Sequence, residues 1–162
     1  MIQQNLDRST VFNRSWAEFK VGFNDSRGNY WLGNDLLSQL TRRVRYKLKF
    51  DVQSRNNSNW YYAEYSSFIV QPESSNYRLE VSGYSGNTGY DALGYQNGMK
   101  FTTFDRDNDQ SSVNCAASRG GGFWYKLLLL VLCEQLHRLH LGYPEQSVWR
   151  QLPAVISYVA AV

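Results

Sequence analysis

The 162-residue sequence contains few of the residues that usually build cross-linked or reactive sites: two Cys, two His and three Pro. Two cysteines are too few for a disulfide scaffold, although one Cys115–Cys133 bridge would close a loop of roughly 18 residues and add about 3 kcal/mol. Both histidines, His137 and His140, stand late in the chain, and no Ser/His/Asp, Cys/His or phosphate-loop motif is present. We therefore predict that the protein is not an enzyme.

Long apolar runs are also absent. The longest, at 127–133, has seven residues, whereas a membrane-spanning helix needs about 18. The first ten residues are polar and contain no signal-peptide core. The formal net charge of +3 is too small to favour nucleic acid as a partner. These features predict a protein without a membrane span and without nucleic-acid binding.

What is present is a large share of aromatic and apolar residues. Apolar residues make up 43% of the chain, which is enough for one folded domain with a core. Aromatic residues make up 15%, and 12 of them are Tyr. A Tyr-rich composition is typical of β-rich extracellular modules and of recognition surfaces, where the ring packs and its polar tip stays in water.

Two short helices are predicted near the N-terminus. In the first, Ser15 and Glu18 have the spacing of a capping box, and in the second, at 34–43, Asn34 and Asp35 stand where caps are expected. The apolar residues that follow these caps have helical spacing: Trp16, Phe19 and Phe23 in the first segment, and Leu36, Leu37 and Leu40 in the second.

Strand-like alternation begins after the second helix. Segments 46–52, 60–70 and 77–83 have the composition or alternation of half-buried strands, and turn-forming residues separate them. Residues 83–101 are rich in Gly and predict loops. The fold class predicted from this order is α+β, with an antiparallel sheet.

The composition changes at about residue 126. Segment 127–162 is rich in Leu and Val, holds both His and has no Asp. Two explanations are open: a change of reading frame or exon model near residue 126, or a genuine divergent C-terminus. In either case we predict that 127–162 is separate in design from the domain at 1–126.

Three aspartates stand at alternate positions, Asp105, Asp107 and Asp109. Their negative charges repel one another, so a compensating interaction is expected. A bound Ca²⁺ ion would offset the repulsion, because alternate carboxylates on a tight loop can face one cation. The segment is not an EF-hand, since position 6 is Gln110 and position 12 is Ala116 instead of Gly and Glu. A solvated acidic turn is the alternative.

Six segments in register resemble the fibrinogen C-terminal domain shared by fibrinogens, ficolins, tachylectins, tenascins and angiopoietins. They read FNRSWAEFKVGFNDSRGNYWLGND, YAEYSSFIV, YRLEVSGYSGNTGYDAL, NGMKFTTFDRDND, NCA and GGFWYK. The resemblance covers residues 2–126 and implies a central antiparallel sheet, short helices and a long irregular subdomain with a calcium loop. It makes 1–126 a partial family domain and leaves 127–162 without a match.

The resemblance also assigns residues to the loop. It implies Ca²⁺ as the cofactor, with the side chains of Asp107 and Asp109 and the backbone carbonyls of Ser111 and Val113 as ligands. Asp105 is then a supporting acid.

The resemblance leaves the disulfide and the acetyl-binding pocket of some relatives in doubt. The family partner of Cys115 falls at Leu128 here, and Cys133 is a substitute five residues later. A pocket Tyr of ficolin-like members is Arg119. Phe123 and Trp124 remain as wall aromatics, so the calcium loop is carried over and the pocket is not.

Three other groups of residues are weaker candidates. Cys133, His137 and His140 lie on one face of a helical pattern and could ligate zinc, although chance explains them better. A basic cluster could bind a polyanion such as a sulfated glycan, or could simply be a solvated face: Arg42, Arg43, Arg45, Lys47 and Lys49. N-x-S sequons at Asn13, Asn24 and Asn56 mark glycosylation sites if the protein is secreted.

The function predicted from the resemblance is that of a secreted, extracellular recognition module. The first hypothesis is calcium-dependent, lectin-like binding of glycans or acetylated ligands in innate defence. The alternatives are a matrix or receptor-ligand signalling protein that binds an extracellular protein, or a truncated fragment that binds nothing and lacks a closing strand. Homo-oligomers formed through a region outside this sequence are a further expectation.

Overall fold

The computed structural model of the chain describes residues 1–5, 12–53, 59–89, 91, 93–126 and 154–160. Its centre is a seven-stranded antiparallel sheet. The strands are β1 (Gln3–Asn5), β2 (Phe23–Asn24), β3 (Tyr30–Trp31), β4 (Tyr46–Gln53), β5 (Trp60–Val70), β6 (Leu79–Gly86) and β7 (Ala154–Ala160). The helices are α1 (Trp16–Val21), α2 (Asn34–Arg43) and α3 (Cys115–Arg119), and short 3₁₀ turns lie at Glu73–Ser75 and Gly94–Gln96. The predicted α+β class is confirmed.

The strand order places the last strand inside the sheet. The order is β2-β3-β1-β7-β4-β5-β6, so β7 pairs with β1 on one side and with β4 on the other. The expectation that a closing strand is missing is therefore wrong. The sequence AVISYVA is rich in β-branched residues, which favour strands. No strand was predicted there because the composition of 127–162 led us to treat that segment as separate from the domain.

Helix α1 forms as the sequence predicts, but it ends earlier. The side chain of Ser15 accepts from the Glu18 backbone N–H, and Glu18 accepts from the Ser15 N–H, which completes the capping box. The helix stops at Gly22, whose φ of +93° a glycine adopts without strain. Phe23 lies beyond this stop, in β2, and packs on Phe19 from there.

Helix α2 begins at Asn34, and its N-cap lies one residue before the two predicted caps. Gly33 is its N-cap and makes no side-chain capping bond, so the assignment of Asn34 and Asp35 as caps was wrong. The Asn34 side chain instead accepts a hydrogen bond from the indole of Trp31, at 3.1 Å. Leu37 is fully buried, whereas Leu36 is exposed.

The core is aromatic and joins the sheet to the largely irregular segment 93–126. The ring of Phe101 lies at its centre, within 5.0 to 6.2 Å of four other rings. Those four rings come from α1, β3 and the C-terminal end of the irregular segment: Trp16, Phe19, Trp31 and Trp124. Because one cluster draws on all these parts, the irregular segment is fixed against the sheet although it has little regular structure.

Candidate functional site

The acidic segment forms a tight loop between the Thr103–Arg106 bridge and α3. Asp107 is exposed and Asp109 is half-buried. The Oδ1 of Asp107 accepts the backbone N–H of Asp109 at 3.1 Å, and the Oδ1 of Asp109 accepts that of Ser111 at 2.7 Å. These are two successive Asx turns, the local structure that Asp favours in loops.

The loop is closed by further bonds at its C-terminal end. The second carboxylate oxygen of Asp109 accepts the N–H of Cys115, the first residue of α3, at 2.9 Å. The hydroxyl of Ser111 accepts the N–H of Val113 at 3.3 Å. Asp109 therefore holds both the middle and the end of the loop, and its carboxylate is fixed in orientation.

Asp105 has a different role in the structure. Its Oδ1 accepts the N–H of Trp16 at 2.9 Å, at the N-terminus of α1, and the hydroxyl of Thr103 at 2.7 Å. These bonds tie the start of the loop to the helix, and a supporting role toward a cation stays a prediction. Among the described residues, no three His, Cys, Asp or Glu side chains lie close enough to hold a metal.

Two asparagines that the sequence analysis did not single out anchor the loop. The amide of Asn108 donates to the Phe101 carbonyl at 2.8 Å, and the amide of Asn114 donates to the Thr103 carbonyl at 3.0 Å. Asn114 also caps α3, because its side chain accepts from Ala117. The preference of Asn for turns and caps is the sequence signal that could have identified them.

An ionic network packs Arg106, which stands between the first two aspartates, onto α1. Its guanidinium lies 4.0 Å from the centre of the Trp16 ring and 3.7 Å from Glu73. Glu73 also accepts hydrogen bonds from Lys20 and from the Trp16 indole. The bond from Lys20, with that from Trp16, holds the pKa of Glu73 below its usual value.

The donor set of the loop fits Ca²⁺. It offers two carboxylates, Asp107 and Asp109, and the backbone carbonyls of Ser111 and Val113, all oxygen ligands of the kind that a hard cation prefers. A carboxylate oxygen that accepts one N–H keeps a second lone pair for a metal. The Asx turns hold the two side chains on one short loop, and neither carboxylate forms an ion pair with a cation of the described residues.

The remaining predicted site residues are only partly within the described structure. Cys115 is fully buried, and Leu128 and Cys133, its two predicted partners, lie outside the described residues. The zinc candidates Cys133, His137 and His140 lie outside as well. The sequon residues Asn13 and Asn24 are exposed, and Asn56 is not described.

The predicted pocket aromatics differ in their placement. Trp124 is only 4% exposed and its indole donates to the Tyr77 carbonyl at 2.7 Å, so it belongs to the core and does not line a pocket at the surface. Phe123 is half-buried and packs against Trp124 and Tyr125. In the basic cluster, four cations are exposed and Lys49 is bonded to Asp51 at 3.0 Å.

Comparison with known proteins identifies the class. The family described as "Fibrinogen beta and gamma chains, C-terminal globular domain" matches residues 1–141. The chain belongs to this family, a family of binding proteins that are not enzymes. The match extends past residue 126, the domain boundary predicted from composition, and that boundary stays a prediction.

Relatives and solved structures agree with the family. The chain is 43% identical to mouse angiopoietin-related protein 1 over 125 residues and 44% identical to mouse tenascin over 115 residues. It is 37% identical over 158 residues to fibrinogen-like protein A of Apostichopus parvimensis. The fibrinogen-like globe domain of human ANGPTL2 superposes with a TM-score of 0.73 at 42% identity, covering 77% of this chain and 57% of that one.

The matches cover most of this chain but only part of several relatives. They take in 77% of this chain and 25% of angiopoietin-related protein 1, 71% and 5% for tenascin, and 94% and 54% for fibrinogen-like protein A. In the described residues no helix is long and apolar enough to cross a membrane.

Proposed function

We propose that this chain is an extracellular recognition domain of the matrix or receptor-ligand type, and that its partner is an extracellular protein. The observation that carries the proposal is the pattern of similarity. Relatives at 42–44% identity are angiopoietin-related proteins and tenascin, whose fibrinogen-like regions this chain resembles over 115–125 residues. The aromatic-rich composition agrees with a recognition surface.

Lectin-like binding of acetylated glycans in innate defence has less support. The resemblance alone suggested it, and the pocket would need aromatic walls beside the calcium loop. Trp124 is buried in the core, and Arg119 stands where ficolin-like members have Tyr. The protein-binding hypothesis needs neither residue, so it is the better supported of the two.

We propose further that the loop at 105–113 binds one Ca²⁺ through Asp107 and Asp109, with the carbonyls of Ser111 and Val113. The support is the donor chemistry of the loop and its fixed carboxylates. The cation would offset the repulsion between the carboxylates and hold the loop for partner binding. Neither role requires the cation to take part in a reaction.

The partner class can be tested with fluorescently labelled protein and cultured vertebrate cells. We expect binding that mild surface trypsin removes and that N-acetylglucosamine at millimolar concentration leaves unchanged. Binding that resists trypsin but is competed by the acetylated sugar would favour the lectin hypothesis over ours. Heparinase-treated cells separate protein partners from sulfated polysaccharides.

Calcium can be tested without any partner. In thermal unfolding, calcium should raise the melting temperature relative to EDTA, and a ligand at 100 times its Kd stabilises by about 2.7 kcal/mol. Magnesium at the same concentration is the control, because it prefers a stricter octahedral site. Identical melting in calcium and EDTA would refute the proposed site.

A further inference from the structure

Four exposed cations lie in succession where α2 runs into β4. Arg42 and Arg43 form the last turn of α2, and Val44 takes up extended backbone with φ −136° and ψ 148°. Arg45 and Lys47 follow on that extended chain, and all four cationic side chains are exposed. We call Arg42, Arg43, Arg45 and Lys47 the basic strip.

No acidic residue in the described part of the chain pairs with the basic strip. The ion pairs found there use other cations: Arg14, Lys20, Lys49, Arg78 and Arg106. The next cation along β4 marks the end of the strip, because Lys49 is bonded to Asp51 and lies opposite Glu64 on β5. Within one strand, therefore, Lys49 has acidic neighbours, whereas Lys47 has none among the described residues.

The basic strip accounts for the positive charge of the whole chain. The formal net charge is +3, and the strip carries four positive charges, so the rest of the chain is slightly negative. The helix dipole gives a structural reason for Arg42 and Arg43 at the C-terminus of α2. It gives none for Arg45 and Lys47, which lie beyond the helix. A concentrated positive field of this kind attracts an anionic partner.

We propose that the basic strip binds a sulfated polysaccharide. Arg45 and Lys47 are two residues apart on extended backbone, about 7 Å, and continue from a turn of helix that bears two more cations. This linear arrangement suits a linear polyanion, and guanidinium groups bind planar pairs of anionic oxygens. Among residues 42–47 the one aromatic ring is that of Tyr46, which is half-buried, so this segment offers little of the stacking surface that single-stranded nucleic acid uses.

A sulfated polysaccharide is a second partner in addition to the proposed protein partner. Its choice rests on the proposed function only in that an extracellular domain meets extracellular polyanions. The test uses the full chain on immobilised heparin, with chondroitin sulfate, unsulfated hyaluronan and a single-stranded DNA as soluble competitors. We expect retention on heparin, competition by sulfated chains and none by hyaluronan at the same carboxylate concentration. DNA should compete less well than heparin of equal charge.

A pair of matched variants separates the strip from net charge. Arg45→Gln with Lys47→Gln and Arg27→Gln with Lys100→Gln each remove two positive charges, and all four positions are exposed. The first variant should bind heparin at least about tenfold more weakly and should lose roughly half of the dependence of log affinity on log salt, by the counterion-release argument for polyanions. The second should bind within about twofold of the original protein.

The outcomes decide the proposal either way. Equal weakening of both variants would show that net charge alone acts, and absence of heparin binding by the unaltered chain would overturn the proposal outright. Equal competition by DNA would overturn the commitment to a polysaccharide. Melting temperatures of both variants check that they are folded. The proposed function is measured separately, as trypsin-sensitive binding to cells treated with heparinase.

Discussion

Asp107 is the residue at which the proposed calcium binding can be altered with little disturbance to the loop. In Asp107→Asn the amide oxygen still accepts the N–H of Asp109, but the negative charge is lost. We expect the melting temperature in EDTA to stay within about 1 °C of the original, while the calcium-induced rise largely disappears, because a ligand carboxylate is removed. Glu80→Gln, which removes the same charge from β6, is the control and should keep the full rise.

Glu73 makes stability depend on pH at the acidic end. Its pKa is lowered by the hydrogen bonds from Lys20 and Trp16, so its ordinary value of 4.5 applies only to the unfolded chain. A lowered pKa in the folded state means that the stabilisation is fully present above about pH 4.5 and is lost as pH falls below it. The group is partly exposed, so solvent reduces the effect.

The matched variant is Glu73→Gln, in which the amide oxygen can still accept from the Trp16 indole. We expect the difference in free energy of unfolding between the original and this variant to be largest at pH 6–7 and to shrink toward pH 3. Urea titrations at four pH values measure it. A difference that stays constant over this range would show that the carboxylate charge does not stabilise the fold.

At the scale of single elements, β5 and β6 change their buried face together. Ala63 and Tyr65 are buried in the first half of β5, and Phe68 and Val70 in the second, so the alternation slips by one residue. On β6 the slip falls at Gly83, which has φ +71°. A β-carbon there would lie 1.8 Å from the Ser66 hydroxyl, so glycine permits both the backbone angle and the close strand approach.

Substitution of Gly83 by alanine should therefore lower the free energy of unfolding by more than the positive φ alone would explain. Gly98 is the control, because it has φ +83° and no atom within 4 Å of an added β-carbon. We expect Gly98→Ala to destabilise by about 1 kcal/mol and Gly83→Ala by at least about twice that, since overpacking adds to it. Urea unfolding of both variants measures this, and equal losses would mean that the strands separate without cost.

The elements that could be predicted are those whose signal is local. The capping box of α1, the extent of α2 and the strands β4 and β5 follow from composition, spacing and alternation in the sequence. The third long strand was predicted at 77–83, whereas β6 runs from Leu79 to Gly86 and extends into the segment predicted as loops. The two-residue and three-residue strands could not be predicted, because so short a segment has no period. The caps of α2 were misassigned because the side chains of Asn34 and Asp35 accept hydrogen bonds from the Trp31 indole and the Tyr77 hydroxyl, partners that the capping rules do not include.

The candidate site likewise has one part that follows from local sequence and one part that depends on long-range contacts. Alternating aspartates predicted a tight acidic turn that holds a cation. The Asx turns at Asp107 and Asp109 form the turn, and the cation stays a prediction. Asp105 belongs to the same pattern, but its carboxylate is directed to a helix 89 residues away along the chain. Spacing alone cannot distinguish a ligand from a long-range helix cap, since both use a carboxylate on a tight turn.

At the scale of the whole molecule, the position of β7 gives the C-terminal segment a structural role. Residues 154–160 pair with seven positions of β4 and three of β1, so they join the two parts of the sheet. Composition argued that 127–162 is separate from the domain, whereas strand pairing argues that at least part of it completes the sheet. The two views make opposite predictions about truncation.

We expect removal of residues 154–162 to leave β1 and β4 as unpaired edges, which would promote association and abolish cooperative unfolding. Removal of 161–162 alone is the control, because β7 ends at Ala160. Size-exclusion chromatography and urea unfolding monitored by Trp fluorescence measure both properties. If the longer truncation stays monomeric and unfolds with the original midpoint and slope, then 127–162 is separate from the domain, and the sheet is complete without β7. Loss of cooperativity only in the longer truncation would show that the last strand is part of the recognition domain.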